Sequence, residues 1–322
     1  FTYTVTDSHG ATATATVTLS VAAVNDAPVA AADNFGTRDQ SVIKNNPSLV
    51  IGNVLSNDTD VDNGDTRTVT SYTQPVAAPG STGTIGTISV AANGAVTYIP
   101  SANGFHNYDG VVTFSYTITD SKGATSTATA SFALNDNIAP TAVDVQSTNS
   151  GTAGQLTQGD TITYTFSEPI DPSSILAGWN GTGSQTVTVR AYDGSLGLLN
   201  LLGWEDVLQV YDGTNTTQLG LGSVSLGSTI YVTGAVSLAA GTYIWFDGST
   251  MTMSADRTKV TVTLGVYDYA KSLGLLPLGA IRGTNLNGSL MTWAPDTGVR
   301  DSAGNSTSGN NVAETGSDDR DF

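Results

Sequence analysis

A near-duplicate of one twelve-residue stretch most limits how this chain can fold. The stretch begins at Phe1, its copy begins at Phe114, and the two differ at three positions. In both copies apolar residues alternate with threonine or serine before an Asp-Ser-x-Gly turn, a pattern that predicts a β-strand with one buried face entering a hairpin. A hairpin alone is not stable in water. Each copy is therefore predicted to belong to a larger β-structure that recurs along the chain.

The spacing of the copies and the linkers behind them predict three units. The copies lie 113 residues apart, and a repeat of about 110 residues has the size of an immunoglobulin-like sandwich. Each copy leads to an acidic linker that ends in proline, at Pro28 and at Pro140, where a strand cannot continue. We predict an all-β array in an extended arrangement: residues 1–26 as the C-terminal hairpin of a truncated module, 27–138 as a complete sandwich and 139–322 as a larger Ig-like sandwich with insertions.

Alternation predicts further strands inside these units. In the second unit they fall at 68–72, 84–90 and 95–99, and Asn93-Gly94 is a hairpin signal. In the third unit they fall at 160–166, 185–191, 207–211, 228–233, 242–246 and 259–264. The first hairpin has two explanations: either its module is cut short, or it completes the sheet of a neighbouring molecule.

Composition narrows the partners and the location. The net charge is −17 and the chain lacks cysteine, so nucleic acid is disfavoured as a partner, and the units must be held by their cores, by a metal or by both. We find no apolar run of the roughly 18 residues that a membrane helix needs. The bias toward Thr, Ser, Gly, Asn and Asp favours strands and turns, and it predicts a secreted or bacterial cell-surface location.

An acidic loop at 58–65 is the strongest site signal. Asp58, Asp60, Asp62 and Asp65 are separated by small polar residues and glycine. Their carboxylates would repel one another without a counter-ion, and Ca²⁺, which takes six to eight oxygen ligands, is the usual hard cation outside cells. The sequence therefore predicts a calcium site. The alternative is a solvated acidic turn whose aspartates accept hydrogen bonds from the backbone.

The order of these motifs also resembles a known family. The stretches 54–60, 93–98 and 114–123, followed by Asn135-Asp136, resemble the cadherin-like tandem repeats of large bacterial surface proteins and RTX-type adhesins, over residues 1 to about 140. The stretches 167–171 and 301–305 resemble Ig-like repeats of bacterial surface proteins.

The first resemblance implies tandem cadherin-like modules with calcium at the seams between them. Carried onto this sequence, it implies ligands at Asp60 and Asp62, at Asp7 and Asp120, and in the linkers at Asn25, Asp26, Asn135, Asp136 and Asn137. Asp144, Glu168 and Asp171 are the expected partners from the third unit at the second seam. The linker residues have a second interpretation as plain turn formers. Asp301 and Asn305 either cap a turn or bind another ion.

Catalysis has little support in the sequence. His9 and His106 fall in predicted turns without a nucleophile in a supporting context, so we predict no enzymatic activity. Trp179, Trp204 and Trp245, with Trp293, all lie in the third unit. They form either its core or an exposed platform for sugar rings.

The expected function is a calcium-stiffened structural or adhesive segment of a long bacterial surface or filament protein. Its expected partners are neighbouring modules of the same or identical chains, with surface glycans or another cell-surface protein as further candidates. One alternative is that residues 139–322 form a ligand- or carbohydrate-binding tip. Another is an accessory region of a secreted hydrolase.

Overall fold

Strands make up nearly all the regular structure. The computed structural model describes residues 1–43, 48–79, 85–100, 108–192, 205–229, 232–234, 243–268, 280–282, 289–316 and 322. Within them, the helices are two single turns, α1 (Gln40–Ile43) and α2 (Pro172–Ile175). Neither is long and apolar enough to cross a membrane. The all-β prediction is confirmed.

The N-terminal hairpin consists of two short antiparallel strands, β1 (Thr2–Thr6) and β2 (Thr12–Thr16). Its apolar face is uncovered, because Phe1 is 73% and Tyr3 47% exposed. The copies of these residues, Phe114 and Tyr116, are 2% and 1% exposed. The same pattern thus forms a core strand only where other strands cover it.

The central sandwich packs two sheets around one core. Its strands are β3 (Asp33–Asp39), β4 (Leu49–Asn53), β5 (Thr68–Tyr72), β6 (Thr87–Val90), β7 (Ala95–Ile99), β8 (Gly110–Thr119) and β9 (Thr125–Asn135). One sheet has the order β3-β9-β8-β5 and the other β4-β7-β6. Only the β3–β9 pair is parallel among these strands. Tyr98 and Phe132 meet edge to face across the core, with ring centroids 5.4 Å apart.

The predicted Asn93-Gly94 hairpin is confirmed and supports the start of the acidic loop. Gly94 adopts a φ of 85°, which favours glycine, and a Cβ here would overlap Asn53 Oδ1. Asn53 donates from its side chain to the Asn93 carbonyl and accepts from the Leu55 backbone N–H. The turn is therefore fixed against the segment that leads into residues 58–65.

The C-terminal unit is built on one curved sheet of ten strands, which we call the ladder. Its strands are β10 (Ala142–Thr148), β11 (Thr161–Phe166), β12 (Gln185–Tyr192), β13 (Val207–Asp212), β14 (Gln218–Ser225), β16 (Tyr243–Met253), β17 (Lys259–Thr263), β18 (Val266–Tyr267), β20 (Thr292–Ala294) and β21 (Val312–Ala313). A separate pair, β15 (Val232–Gly234) and β19 (Ala280–Arg282), lies outside this ladder. The ladder runs β10-β11-β17-β16-β12-β13-β14-β20-β21, with β18 beside β16.

The two ends of the ladder meet, which closes the sheet around its core. Gln146 Nε2 donates to the Thr315 carbonyl at 2.8 Å, and the Thr315 N–H donates to Asp144 Oδ1 at 2.9 Å. Inside lies Trp293, whose ring meets those of Tyr164 and Phe166 edge to face at 5.2 and 5.0 Å. The core apolar residues of this unit and of the central sandwich form two separate clusters.

The tryptophans of the C-terminal unit differ in burial. Trp179 and Trp293 are buried core residues. Trp245 is partly exposed on β16, and Trp204 lies outside the described residues.

Candidate metal centres

The acidic loop is held against the central sandwich by its first aspartate. Asp58 is buried, and its Oδ1 accepts from the Ala31 N–H at 2.7 Å and the Tyr116 hydroxyl at 3.1 Å. Next to it, Thr59 exchanges two backbone hydrogen bonds with Val29. The loop is thereby attached to the chain just beyond the first linker and to core strand β8.

A neighbouring carboxylate missed by the sequence analysis adds to this negative charge. Burial raises the pKa of Asp33 to about 6, the Tyr116 hydroxyl opposes this shift, and the charge of Asp58 adds to it. Asp33 lies at the start of β3, where no acidic cluster in the sequence marked it.

Three aspartates converge in what we call the first acidic cluster. Asp60, Asp65 and Asp120 each place a carboxylate oxygen within 4.8 Å of the others. Asp65 Oδ1 accepts from the Ser121 N–H at 3.0 Å, which ties the loop to the β8–β9 turn. Asp120 Oδ1 accepts from the Lys122 and Ala124 N–H groups, both at 2.9 Å.

Hydrogen bonds favour the ionised form of two members of this cluster. The pKa of Asp65 is lowered mainly by its hydrogen bond with Ser121, and the pKa of Asp120 mainly by its hydrogen bond with Asn25. At an effective dielectric of about 20, unit charges at such separations repel by roughly 3 kcal/mol per pair. The cluster thus concentrates charge that a cation would neutralise.

The buried oxygens of the loop fit a hard cation. Oδ2 of Asp58, Oδ2 of Asp60 and Oδ2 of Asp65 are buried and accept no hydrogen bond. A buried carboxylate oxygen without a partner is unfavourable. Calcium binds several carboxylate and carbonyl oxygens at once, and these residues supply that donor set.

The first linker enters at this cluster. Asn25 Nδ2 donates to Asp120 Oδ2 at 2.9 Å, and the Asp26 N–H donates to Asp62 Oδ2 at 2.9 Å. Asp62 in turn donates its N–H to Asp60 Oδ1. The linker, the acidic loop and the β8–β9 turn are therefore joined by direct hydrogen bonds.

Asp7 lies apart from the cluster. It occupies in the N-terminal hairpin the position that Asp120 has in the central sandwich, and its Oδ1 accepts from the His9 and Ala11 N–H groups. It is exposed. The structure does not bring Asp7 to the acidic loop.

The second acidic cluster consists of Asp136, Glu168 and Asp301. Each places a carboxylate oxygen within 4.8 Å of the others, and the three residues are only 4%, 2% and 2% exposed. They come from the second linker, from the segment after β11 and from the turn before β21. Ile170 pairs with Asp301 in an isolated antiparallel bridge, which sets Glu168 near that turn.

Asn305 connects the linker to this turn. Its Nδ2 donates to the Asp136 carbonyl and to Asp301 Oδ2, both at 2.9 Å, while its N–H donates to Asp301 Oδ1. From the sequence, Asp301 and Asn305 had two interpretations, a capped turn or a further ion site. The signal that could have placed them is the Asp-Ser-x-Gly pattern, which 301–304 shares with 120–123.

Burial and neighbouring negative charges raise the pKa of Asp136 in the second linker. The pKa of Asp136 rises to about 7, first because of burial and then because of the charges of Asp301 and Asp109. Asp109, another residue that the sequence analysis missed, accepts the Asp136 N–H at 2.7 Å. A bound divalent cation would favour the ionised form of all three cluster residues, so their chemistry also fits a metal.

The other predicted ligands make structural hydrogen bonds outside the clusters. Asn135 Nδ2 donates to Asp39 Oδ1 at 2.7 Å, and Asn137 Oδ1 accepts from the Ser41 N–H at 3.0 Å. Asp171 caps α2, where it accepts from the N–H and the hydroxyl of Ser173.

Of the two histidines, the part of the chain that the structure describes includes His9. His9 is exposed in the turn of the N-terminal hairpin, with its Nδ1 3.3 Å from Ser8 Oγ. His106 lies outside the described residues.

Comparison with protein families gives a match to the central part of the chain. Residues 25–136 match the family model of the bacterial cadherin-like domain. This match runs from one linker to the next and ends at a member of the second acidic cluster. A search of the curated proteins gives no match.

Solved cadherin ectodomains are among the similar structures. One is PcdhgB3 EC1-4, with 11% identity and a TM-score of 0.36; the match covers 97% of this chain and 55% of that one. Another is the Protocadherin gammaB7 EC3-6 cis-dimer, with 15% identity and a TM-score of 0.30; the match covers 97% of this chain and 57% of that one. Human Desmocollin-1 ectodomain also matches (10%, 0.27, 89% and 60%). This chain thus spans little more than half the length of each. With TM-scores below 0.5, these similarities carry no argument about function.

Proposed function

We propose that this chain, whose residues 25–136 match the family model of the bacterial cadherin-like domain, is a non-enzymatic structural or adhesive segment in which Ca²⁺ at two seams holds neighbouring units in line. One observation carries this proposal. Each acidic cluster lies where a linker meets an Asp-Ser-x-Gly turn. The family and the acidic composition support a secreted or bacterial cell-surface location.

At each seam the chain itself positions the donor atoms. Asp60, Asp65 and Asp120 would hold an ion at the first seam, with Asp58 beside them. At the second seam Asp136, Glu168 and Asp301 would do so. Calcium supplies the positive charge that lets these carboxylates remain close together.

The expected consequence is mechanical. Without a cation, repulsion of roughly 3 kcal/mol per carboxylate pair favours separation of the acidic loop from the β8–β9 turn at the first seam, and of the second linker from the 301–304 turn at the second. With calcium, the same carboxylates hold these segments together, and the linkers that are hydrogen-bonded to the turns fix the angle between units. Extracellular calcium modules of this kind bind with Kd of about 10⁻⁴ to 10⁻³ M. The segment would therefore be stiff in calcium-rich surroundings and flexible in a chelator.

The N-terminal hairpin suggests a neighbour of the same kind. Its exposed apolar face carries the pattern that is buried in β8, where the remaining strands of the sandwich cover it. We propose that strands of another cadherin-like module, in the same or an identical chain, cover this face. Deleting residues 1–21 should abolish any ladder of oligomers that the intact chain forms. An unchanged ladder would exclude pairing between chains through this hairpin.

Small-angle scattering tests the calcium proposal. In calcium the distance distribution should be narrow with a large maximum dimension, and EDTA should broaden it and lower the thermal midpoint. The double variant Asp120→Asn/Asp301→Asn should behave in calcium as the wild type does in EDTA. Asp7→Asn is the matched control, because Asp7 occupies the same type of turn outside both clusters. Identical wild-type curves and midpoints in calcium and EDTA would contradict the proposal.

A second candidate function, recognition of a ligand by the C-terminal unit, is supported by a cleft on the outer face of its sheet.

A further inference from the structure

The cleft lies on β12 and β16, beside the β13–β14 turn. It has a volume of about 520 Å³, within the roughly 300–1,000 Å³ of small-molecule sites. Its lining consists of Thr188, Gly213, Thr214, Asn215, Trp245, Asp247 and Gly248. None of these residues belongs to an acidic cluster.

Local backbone features shape both walls. The β12–β16 pairing shifts register between Val187 and Val189, so Thr188 lies at an irregularity of the ladder. The opposite wall is the β13–β14 turn, where Asp212 Oδ1 accepts from the Thr216 N–H and the Thr214 hydroxyl at 2.8 and 3.0 Å. Asn215 adopts a left-handed φ of 59° in that turn. The turn is thus held in one shape before any ligand arrives.

Trp245 is the aromatic residue of the cleft lining, and further aromatic rings lie close to it. The rings of Trp245 and Tyr243 stack with their centroids 5.4 Å apart and an interplanar angle of 6°. The Arg190 guanidinium lies 3.7 Å above the Tyr211 ring and 5.4 Å from Trp245. A cation already occupies the aromatic surface, so a cationic ligand is disfavoured there.

Arg190 also orients the polar wall. Its Nε and Nη2 donate to Asn215 Oδ1 and to the Asn215 carbonyl, both at 2.7 Å. Because Oδ1 accepts from Arg190, the orientation of the Asn215 amide is fixed, with Nδ2 as the remaining donor. Nδ2 is buried and has no hydrogen-bond partner. An acceptor oxygen from a ligand would satisfy it.

These features select a class of ligand. An aromatic face beside hydroxyl, amide and carboxylate groups suits a molecule with one apolar face and a rim of hydroxyls. Asp247 at the cleft and the net charge of −17 oppose an anion. We propose that the cleft binds a neutral pyranose ring of a glycan. Trp245 packs on the ring face, and Asn215 Nδ2 donates to a hydroxyl oxygen. This recognition is independent of the calcium seams.

The test uses the full chain with methyl glycosides of glucose, galactose, mannose and N-acetylglucosamine, and with glucuronic acid as the anionic probe. Saturation-transfer NMR and titration calorimetry should show saturable binding of at least one neutral glycoside. For a ligand of this size we expect a Kd of about 1–10 mM, equal in calcium and EDTA. Absence of saturable binding, or binding of glucuronic acid alone, would overturn the proposal.

Two variants separate the site from the fold. Trp245→Ala should abolish binding. Asn215→Asp keeps the acceptor for Arg190 but removes the donor, and should weaken binding about tenfold. Tyr72→Ala, on the exposed face of the central sandwich, is the control and should bind as the wild type does. Since Asn215→Asp preserves the wall, unchanged affinity in a folded Asn215→Asp protein would refute the assigned donor.

Discussion

Replacing Asp136 by asparagine should stabilise the metal-free protein and remove most of its response to calcium. In metal-free protein at pH 8, ionised Asp136 is unfavourable, because burial and the charges of Asp301 and Asp109 raise its pKa from 3.8 to about 7. About three pKa units correspond to an upper limit of ~4 kcal/mol. Solvent screening at a seam reduces this to about 2 kcal/mol. Asparagine removes that penalty.

In calcium this advantage is largely cancelled, because the wild type gains the free energy of calcium binding through the proposed ligand Asp136. At about 10 mM calcium, a Kd of 10⁻⁴ to 10⁻³ M stabilises the folded state by roughly 1.4–2.7 kcal/mol. A neutral amide oxygen is a weaker ligand, so Asp136→Asn should lose most of this gain. Scanning calorimetry should therefore show a higher midpoint than wild type in EDTA and a much smaller increase on adding calcium.

Asp171→Asn is the matched control for this experiment. Asp171 was also a predicted ligand, but it caps α2, and asparagine caps helices about as well as aspartate. Its calcium response should equal that of the wild type. A full calcium response in Asp136→Asn, or equal losses of response in both variants, would refute the reasoning.

Three further predictions concern the central sandwich and pH. Tyr116→Phe leaves Asp58 Oδ1 and the Ala31 carbonyl without the buried hydroxyl, so urea unfolding should show a loss of about 1–3 kcal/mol; no loss would mean water replaces it. Gly94→Ala places a Cβ at a φ of 85° where it would overlap Asn53 Oδ1, so it should lower the free energy of unfolding by more than ~1 kcal/mol. The loss should exceed that of Gly123→Ala, whose Cβ meets no atom within 4 Å; equal losses would show that the overlap contributes nothing. In EDTA the thermal midpoint should rise as the pH is lowered from 8 to 5. The pKa values of Asp33 and Asp136 are about 6 and 7 in the folded state against 3.8 in the unfolded state, so the folded state binds more protons in this pH range. A midpoint that falls over the same range would contradict those shifts.

Local sequence patterns predicted strands in which apolar and polar residues alternate. Strands 68–72 and 95–99 have the predicted bounds. In 95–99 the alternate residues Val96 and Tyr98 enter the core, whereas in 68–72 only Val69 does. In contrast, β3 was missed, since residues 33–39 lack alternation and include Gly36. That strand is defined by parallel pairing with β9, a long-range contact that no local pattern reveals.

The acidic clusters divide in the same way. Asp60 and Asp65 lie in one loop and were recognisable from spacing alone. Asp120 entered through the family resemblance, and the structure places it beside them. Glu168 and Asp301 are far apart in sequence and meet through the bridge at Ile170. The Asp-Ser-x-Gly pattern at 301–304 marks Asp301 as a turn aspartate, but no local pattern places that turn beside Glu168.

The most direct test of metal-held seams is the anomalous difference map of a crystal grown in calcium, measured at long wavelength. The account predicts one peak among the carboxylates of Asp60, Asp65 and Asp120 and another among those of Asp136, Glu168 and Asp301. Under saturating calcium, a map without a peak at either cluster would contradict it.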